Sequence, residues 1–396
     1  MDNQEKKISI SSLFSLVLVA GMILIAPGPI LDSLMKRYEL TKSIAGRIPF
    51  LFFLGQFLGL FFLSELARIF GVKRLLLVSL GLSAILLLLI SFTPGLYMVL
   101  AAFGVLGFAD AILWSFPGVI TTRASGANVN RDMNYLYAFF AIGVTAEPLL
   151  AGWIINCGYG FRGVLIVLAC LAVVVIAWIS LRTLPDLRNI QKLTLPGLQG
   201  MIKSRRSLFL LLCIGLFCYI ASEQGLSVWI PKFMIDRFPG NAPLAGLTLS
   251  GIWLCLTAGR FFFGWVSKWI DRSALLFVLT LASLAASSAA AIAPNAHAVM
   301  ILYLIYGLSM SGIFPLLLAF CEGFQEQYLS MAFGMILAVG YLGGALGALP
   351  VGMIAEKIKF SIAMLYPAGL ILFLLAIIPF LPKASHKGTN QDKVPR

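Results

Sequence analysis

The amino-acid sequence predicts an all-α integral membrane protein with twelve transmembrane helices in two six-helix repeats. Of its 396 residues, 60% are hydrophobic and only 11% are charged, whereas about 25% of a soluble domain is charged. Apolar runs of roughly 17 to 25 residues, the length of a membrane-crossing helix, follow one another along the chain. Matching residues also recur at a fixed offset of 200 positions, which indicates an internal repeat.

The apolar runs place the twelve spans in order. Each must be a helix, because lipid offers the backbone no hydrogen-bond partner, and the alternation typical of barrel strands is absent. The first six spans are expected at 12–35, 48–66, 73–93, 96–121, 134–157 and 163–181, and the last six at 207–231, 244–267, 274–293, 297–321, 329–351 and 361–382. Residues 1–181 then form the first half, 182–206 a cytoplasmic linker, 207–382 the second half and 383–396 a cytoplasmic tail.

The repeat relates the two halves position by position. The matching pairs include Arg37 and Arg237, Gly59 and Gly259, Pro94 and Pro294, Gly107 and Gly307, and Gly143 and Gly343. Prolines at 27, 29 and 231 predict a bent end for both the first and the seventh span. The basic and aromatic pair that closes each of these spans, Arg37-Tyr38 and Arg237-Phe238, predicts an interfacial anchor in both halves.

The net charge of +13 is explained by the loops rather than by nucleic-acid binding. Nineteen of the 29 Lys and Arg residues lie on the side of the bilayer that holds the two termini, and nine lie on the other side. Cytoplasmic loops of membrane proteins carry an excess of these residues. We therefore expect a multi-pass protein of the inner (plasma) membrane, with both termini cytoplasmic, that acts as a monomer in the lipid bilayer.

Several classes of chemistry find no support in the sequence. Only two histidines occur, and the six cysteines lack metal-ligand spacing, so no metal site is expected. A phosphate-binding loop of the ATPase type is absent. No group of residues suggests a nucleophile for catalysis. We expect no cofactor and no enzymatic activity.

Four acids lie within predicted spans and are the candidate proton-coupling residues: Asp32, Asp110, Glu147 and Glu223. A lone charge within a bilayer costs about 2.5 to 3.5 kcal/mol, so such residues are functional candidates by default. Asp110, near the middle of the fourth span, is the strongest, since it can exchange a proton as water access alternates. The alternative for Asp110 and Glu147 is a structural hydrogen bond between helices. Asp32, near the outer interface, can instead pair with Lys36.

Aromatic and polar side chains of the spans are candidate substrate contacts, because small-molecule sites combine aromatic walls with a few polar groups. The candidates are Trp114, Asn134, Tyr137, Tyr219, Gln224, Trp229, Tyr303, Tyr306 and Tyr341. Other roles stay open for some of them: a helix cap for Asn134, an interfacial aromatic belt for Trp229, and plain packing for the tyrosines of the last spans.

Charged residues at or near the cytoplasmic loops are candidates for gating the transport path. They are Arg68, Arg74, Arg260, Asp271 and Arg272. Arg260 differs from the others because it lies inside the predicted eighth span. It could pair with an acid or a helix terminus there, or extend its side chain to the interface.

Several segments resemble the major facilitator superfamily. "YGFRGVL" at 159–165 resembles that family's turn before its sixth span, "FFAIGVTAEPLLAGW" at 139–153 its glycine-rich fifth span, and "GRFFFGWVSKWIDR" at 259–272 its glycine and basic loop after the eighth. In "SELARIFGVKR", Arg68 stands where the family carries an acidic residue. The charged contact that the family forms at the cytoplasmic end therefore departs from the family pattern in the first half. The resemblance implies two parallel six-helix repeats that rock around a midplane site.

Within that superfamily the chain resembles the fucose:proton symporter branch. That branch carries an Asp in its first span, matched here by Asp32 in "LDSLMKRY", and an acid in its fourth span, matched by Asp110. Its members import sugars with a proton by means of those two acids, and the resemblance implies the same roles here. Tyr137 and Phe140 replace the branch's polar pair in the fifth span, so the sugar contacts differ.

These observations predict a secondary active transporter that takes up a small polar solute, with a sugar as one class, by alternating access. The coupling ion is expected to be the proton, and sodium stays open as a substitute. The alternative is a proton-driven exporter of drugs or other amphipathic compounds, which the aromatic and Met-rich spans suggest.

Overall fold

A computed structural model describes residues 3–125, 128–182, 184 and 195–382. Within these residues the chain is helical and contains no strand. Eleven helices are long and apolar enough to cross a membrane, and a bent pair of helices brings the number to twelve. The predicted fold class is confirmed, and the spans lie where the apolar runs placed them, with ends that differ by several residues.

The first half begins with a broken span. Its two parts, α1 (Asn3–Ile25) and α2 (Pro27–Tyr38), meet at an angle of 44°. The helices that follow are α3 (Lys42–Ala45), α4 (Arg47–Phe70), α5 (Val72–Phe92), α6 (Leu96–Ala124), α7 (Val129–Asn156) and α8 (Gly160–Ser180).

A short helix precedes the second half. This helix, α9 (Leu195–Ser204), lies inside the segment that the sequence predicts as linker, and it packs against α10 and α14 through the buried Met201. The remaining helices are α10 (Arg206–Arg237), α11 (Ala242–Val266), α12 (Arg272–Ile292), α13 (Ala296–Ala319), α14 (Glu326–Lys357), α15 (Phe360–Ala363) and α16 (Leu365–Ile377). Residues 185–194 of the expected linker and the tail 383–396 lie outside the described residues.

The first span is broken at its prolines, whereas the seventh span is one continuous helix. Pro27 and Pro29 remove two backbone donors within three residues, and Gly28 stands between them, so the helix is interrupted at Ala26. Pro231 is alone, and α10 continues past it to Arg237 as one helix. A single missing hydrogen bond is absorbed within a long helix, whereas two in succession are not. The seventh span therefore passes its proline without a break, and the bend expected there stays a prediction.

The two halves repeat the same packing. Helix α1 packs on α7 as α10 packs on α14, α4 packs on α6 as α11 packs on α13, and α5 packs on α8 as α12 packs on α16. Across the halves, α4 contacts α14 and α7 contacts α11. These cross-contacts enclose a central region that is bordered by α4, α6 and α7 from the first half and by α10, α11, α13 and α14 from the second.

Glycines set the closest of these contacts. A Cβ added to Gly107 on α6 would overlap the backbone of Phe52 on α4, and a Cβ on Gly307 of α13 would overlap the backbone of Ile252 on α11. Gly107 and Gly307 are related by the 200-residue offset. Small residues let membrane helices approach closely and gain packing contacts, so this repeated glycine is explained by packing.

The basic and aromatic pair at the end of the first and seventh spans uses a different member in each half. The Tyr38 hydroxyl donates a 2.7 Å hydrogen bond to the carbonyl oxygen of Thr93. In the second half, the Arg237 guanidinium donates to the carbonyl oxygens of Ala291 and Ala293, each at 2.7 Å. Each pair thus ties the end of its span to the end of the third span in its own half.

Candidate functional site

Asp110 lies fully buried on α6 and faces α4. Its Oδ2 accepts a 2.8 Å hydrogen bond from Nε2 of Gln56. Its Oδ1 and the amide oxygen of Gln56 have no partner among the described residues. Gln56 was not a sequence candidate. The signal that could have identified it is a single amide within the apolar run "FLFFLGQFLGLFF", since a polar group inside a membrane helix needs a partner.

Glu223 occupies the facing half on α10. Its Oε1 accepts a 2.6 Å hydrogen bond from the Tyr219 hydroxyl, and its Oε2 accepts a 3.2 Å bond from Nε2 of Gln224. The neighbouring Ser222 shares a 3.2 Å hydrogen bond with the hydroxyl of Tyr306 on α13. Five polar side chains of α10 and α13 are thereby held in two adjoining groups, one of Tyr219, Glu223 and Gln224 and one of Ser222 and Tyr306.

Tyr341 on α14 lies within electrostatic range of both acids. Its ring lies 5.3 Å from that of Trp114 on α6, centroid to centroid. Its hydroxyl is close enough to interact electrostatically with both Asp110 and Glu223. The two acids, one from each half, therefore border the same central region, together with the aromatic pair Trp114–Tyr341. We call this region the central cavity.

Arg260 also borders the central cavity. It lies on α11, within electrostatic range of Glu223, Tyr219, Tyr137 and Tyr341. Its Nε is buried, and within the described part of the chain the guanidinium makes no hydrogen bond or ion pair. Among the candidate gating residues it is the one that the structure brings near a cavity acid, Glu223.

Asp32 lies in an ion-pair network rather than in the central cavity. Its Oδ1 is 2.7 Å from Nζ of Lys232 on α10, and its Oδ2 is 2.8 Å from Nζ of Lys36. Lys232 also contacts Asp236 at 2.6 Å, and Asp236 contacts Lys42 at 3.2 Å. The 200-residue offset relates Asp32 to Lys232, so two equivalent positions carry opposite charges and meet across the halves.

The same end of the bundle holds the other polar contacts between the halves. We call it the distal end; it carries the turns at 39–41, 93–95, 157–159, 238–241, 293–295 and 358–359, and the opposite end is the terminal end. The backbone nitrogen of Lys42 donates a 2.8 Å bond to Oε2 of Glu356. In the described residues, each ion pair and each side-chain hydrogen bond between the halves lies at the distal end.

Backbone contacts also close the distal end. Gly28 on α2 lies against the carbonyl oxygen of Ser227 on α10, and Gly246 on α11 lies against that of Pro148 on α7. By contrast, the Tyr137 side chain, in the half of α7 nearer the terminal end, is 49% exposed although it lies near Arg260. The contacts between the halves therefore close the distal end, and Tyr137 marks an exposed part of the central region nearer the terminal end.

Glu147 is fully buried on α7, and neither of its carboxylate oxygens has a partner among the described side chains or backbone atoms. One turn earlier, Gly143 packs against the backbone of Leu18 on α1. The face of α7 that carries Glu147 is thus the face that packs on α1. This placement puts Glu147 at the α1–α7 contact without the interhelical hydrogen bond that the structural alternative expects, so its proton-coupling role stays a prediction.

The remaining substrate candidates are divided by their surroundings. Trp229 is fully buried, donates its indole N–H to the carbonyl oxygen of Ala348 at 2.8 Å, and stacks edge-on against Phe360. Tyr303 is buried with an unpaired hydroxyl in the described structure. Asn134 is exposed near the start of α7. The contacts of Trp229 with Ala348 and Phe360 lie within its own half and indicate a packing role.

The other gating candidates have partners within their own halves. Arg68 forms an ion pair within α4. Asp271 accepts hydrogen bonds from the first turn of α12, and Arg272 contacts Oε1 of Glu322 at 2.6 Å. Arg74 is exposed. No contact of these residues joins the halves in this conformation, so their gating roles stay predictions. The described residues also contain no cluster of His, Cys, Asp and Glu able to hold a metal ion.

Comparison with known proteins agrees with this arrangement. The family model described as Major Facilitator Superfamily matches residues 13–348. Over 348 residues, the chain is 22% identical to the glucose/mannose transporter GlcP of Bacillus subtilis (strain 168). The matched residues make up 86% of this chain and 86% of that relative.

Solved structures share the fold. The nucleoside transporter NupG superposes with a TM-score of 0.77 at 15% identity, over 96% of this chain and 99% of its own. The E. coli fucose:proton symporter FucP superposes with a TM-score of 0.63 at 16% identity, over 95% of this chain and 100% of its own. The chain belongs to the major facilitator superfamily and is a multi-pass membrane transporter rather than an enzyme.

Proposed function

We propose that this protein is a proton-coupled importer of a small polar solute of the sugar type, which works by alternating access. The observation that carries the proposal is a pair of buried acids, Asp110 and Glu223, contributed by different halves and both close to Tyr341. Acids at this depth are expensive to keep in a membrane protein and mark proton pathways.

The free atoms of the central cavity suit a hydroxylated ligand. Trp114 Nε1 is a buried donor without a partner, and Asp110 Oδ1 and Gln56 Oε1 are buried acceptors without partners, among the described residues. The stacked rings of Trp114 and Tyr341 offer an apolar surface for the face of a sugar ring. The relative GlcP transports glucose and mannose, and the neighbour FucP transports fucose with a proton, which supports the same substrate class here.

Asp110 can couple the proton to the solute through one atom. Gln56 occupies Oδ2, so a proton and a substrate hydroxyl meet at Oδ1. A protonated Oδ1 donates a hydrogen bond, whereas an ionised one only accepts. The state of Asp110 therefore changes which orientation of the solute is satisfied, and binding of proton and solute favour one another.

The ion pairs at the distal end, between Asp32 and Lys232 and between Lys42 and Asp236, control the alternating-access step. Asp32, Lys232, Lys42 and Asp236 must separate before the cavity can open at that end. We propose that these residues form the outer gate, and that both termini are cytoplasmic, as the loop charges predict. The cavity of this conformation then faces the cytoplasm.

The Asp110→Asn variant tests proton coupling. Inverted or right-side-out vesicles in weakly buffered medium receive D-glucose, D-mannose, L-fucose or D-glucuronate in turn while the external pH is recorded. We expect at least one of these solutes to make protons move with it, and Asp110→Asn to abolish this movement. The variant should still exchange labelled solute for unlabelled solute, because the asparagine keeps the size and the contact with Gln56.

The outcomes separate the parts of the proposal. Proton movement that survives in Asp110→Asn would show that coupling does not pass through Asp110. Absence of exchange for all four solutes in the wild-type protein would overturn the sugar-type class. The same proton signal in sodium-free medium is required, since a signal that needs sodium contradicts proton coupling.

A further inference from the structure

We infer that the solute carries a carboxylate, which Arg260 binds, and that its class is a sugar acid such as a hexuronate. The inference rests on the proposed function of the central cavity and names its substrate more closely. The observation is a guanidinium whose buried Nε no described residue pairs with. The described residues contain one other such Nε, that of Arg182, whose guanidinium stacks on Trp178 at the terminal end.

The chemistry of the guanidinium limits what can satisfy it. Arginine is always charged, offers five N–H donors in a rigid fork and accepts no hydrogen bond. The buried Nε of Arg260 needs an acceptor, because an unsatisfied buried donor is costly. A carboxylate matches the fork with two parallel bonds and supplies the missing negative charge.

The neighbours of Arg260 leave this role free. Glu223 on α10 is the nearby acid; its oxygens accept hydrogen bonds from Tyr219 and Gln224, and it forms no ion pair with Arg260 in the described structure. The groups that face Arg260 from α7 and α14 are the uncharged phenols of Tyr137 and Tyr341. The repeat also places Leu60 at the equivalent position of the first half, so the fold itself does not require a cation there.

Charge balance ties this anion to the proton. With Asp110 and Glu223 both protonated, Arg260 gives the described cavity side chains a charge of one positive unit, which favours an anion. With both acids ionised, the sum is one negative unit, which repels it. Electrostatic interactions are strong where water is scarce, so protonation and carboxylate binding stabilise each other, as symport requires.

The rest of the cavity selects a sugar acid among carboxylates. The paired rings of Trp114 and Tyr341, and the free polar atoms of Asp110 and Gln56, provide contacts for a ring and its hydroxyls. A fatty or aromatic acid would leave these polar atoms unsatisfied. Arg260 would hold the carboxylate, and the opposite wall would hold the hydroxylated ring.

Binding to the purified full-length protein tests the inference. Melting temperature and calorimetric affinity are measured with D-glucuronate, with its uncharged methyl ester and with D-glucose. We expect D-glucuronate to bind at least tenfold more tightly than either neutral compound. Arg260→Leu should lose this preference, and Arg260→Lys should keep part of it, because lysine retains the charge but not the fork.

The matched control is Lys268→Leu, which removes an exposed cation beyond the end of α11 and should leave the affinity for D-glucuronate unchanged. Equal or tighter binding of the methyl ester or of glucose by the wild-type protein would overturn the inference, and this comparison needs no variant. An undiminished preference in a folded Arg260→Leu protein would do so as well. If only a neutral sugar is transported together with protons, the carboxylate is rejected and the proposed function stands. If D-glucuronate binds but no proton moves with it, the carboxylate stands and proton coupling is rejected.

Discussion

At the residue scale, the ion pair between Asp32 and Lys232 is the centre of the proposed outer gate. These two positions are equivalent in the repeat and meet across the halves. Two like charges would repel each other at this distance, whereas an acid and a base attract. Both side chains are nearly buried, with 11% and 12% exposed, and a pair in such surroundings holds the contact more firmly than an exposed one.

We predict that Lys232→Met opens the distal end more often. The change removes the contacts of Lys232 with Asp32 and Asp236. A reporter cysteine at Ser227, which is buried where α10 meets α2, should then react several times faster with a water-soluble maleimide. The measurement is made in detergent, in a background that lacks the exposed Cys157 and Cys170.

The control for this experiment is Lys36→Met. Lys36 contacts the same acid at 2.8 Å, but it lies on the same helix as Asp32 and is 73% exposed. Its loss leaves the contact between the halves in place, and exposed pairs contribute little, so the reaction rate of the reporter should not change. Equal acceleration by both variants would argue against a gate at Lys232.

At the element scale, the α4–α6 contact depends on the absence of side chains. Gly107 lies directly on the backbone of Phe52, and Gly55 lies on the backbone of Gly104. This contact also places Gln56 opposite Asp110. Close packing of α4 on α6 therefore supports both the stability of the first half and the geometry of the cavity acid.

We predict that Gly107→Val lowers the melting temperature of the purified protein, because the added side chain must separate two helix backbones that touch. The matched control is Gly81→Val on α5, where nothing lies within 4 Å of an added Cβ. That variant should melt within a degree or two of the wild-type protein. A stable Gly107→Val protein with unchanged melting would show that the α4–α6 contact is looser than described.

At the scale of the whole molecule, orientation in the bilayer follows from the distribution of charge. The terminal end carries most of the Lys and Arg residues, which favours a cytoplasmic location. The polar contacts between the halves lie at the opposite, distal end. In the proposed import cycle, this conformation then releases solute to the cytoplasm.

Reporter fusions test this orientation. Green fluorescent protein joined after Arg396 should fluoresce, because it matures in the cytoplasm, whereas alkaline phosphatase inserted at the Gly240 turn should be active, because it matures outside. The reverse pattern at both sites would place the termini outside. It would also turn the proposed importer into a protein whose described conformation faces outward.

The sequence by itself determined the membrane class, the twelve helices, the repeat and the family. These features depend on local hydrophobicity and on residue matches at one offset, which are visible along a single chain. Asp110 and Glu223 are conspicuous in the sequence as acids inside a span, and Trp114 and Tyr341 as aromatic residues suited to a cavity wall.

Only the tertiary structure decided which of these residues meet. Gln56 joined Asp110, and Lys232 joined Asp32, because each pair is separated in sequence and brought together by helix packing. Arg260 moved from the gating candidates to the cavity because helical rotation decides which side of a span faces inward. The break at Pro27 and the continuity at Pro231 also depended on neighbouring turns. Contacts between helices arise from the arrangement of the whole bundle, which no local pattern contains.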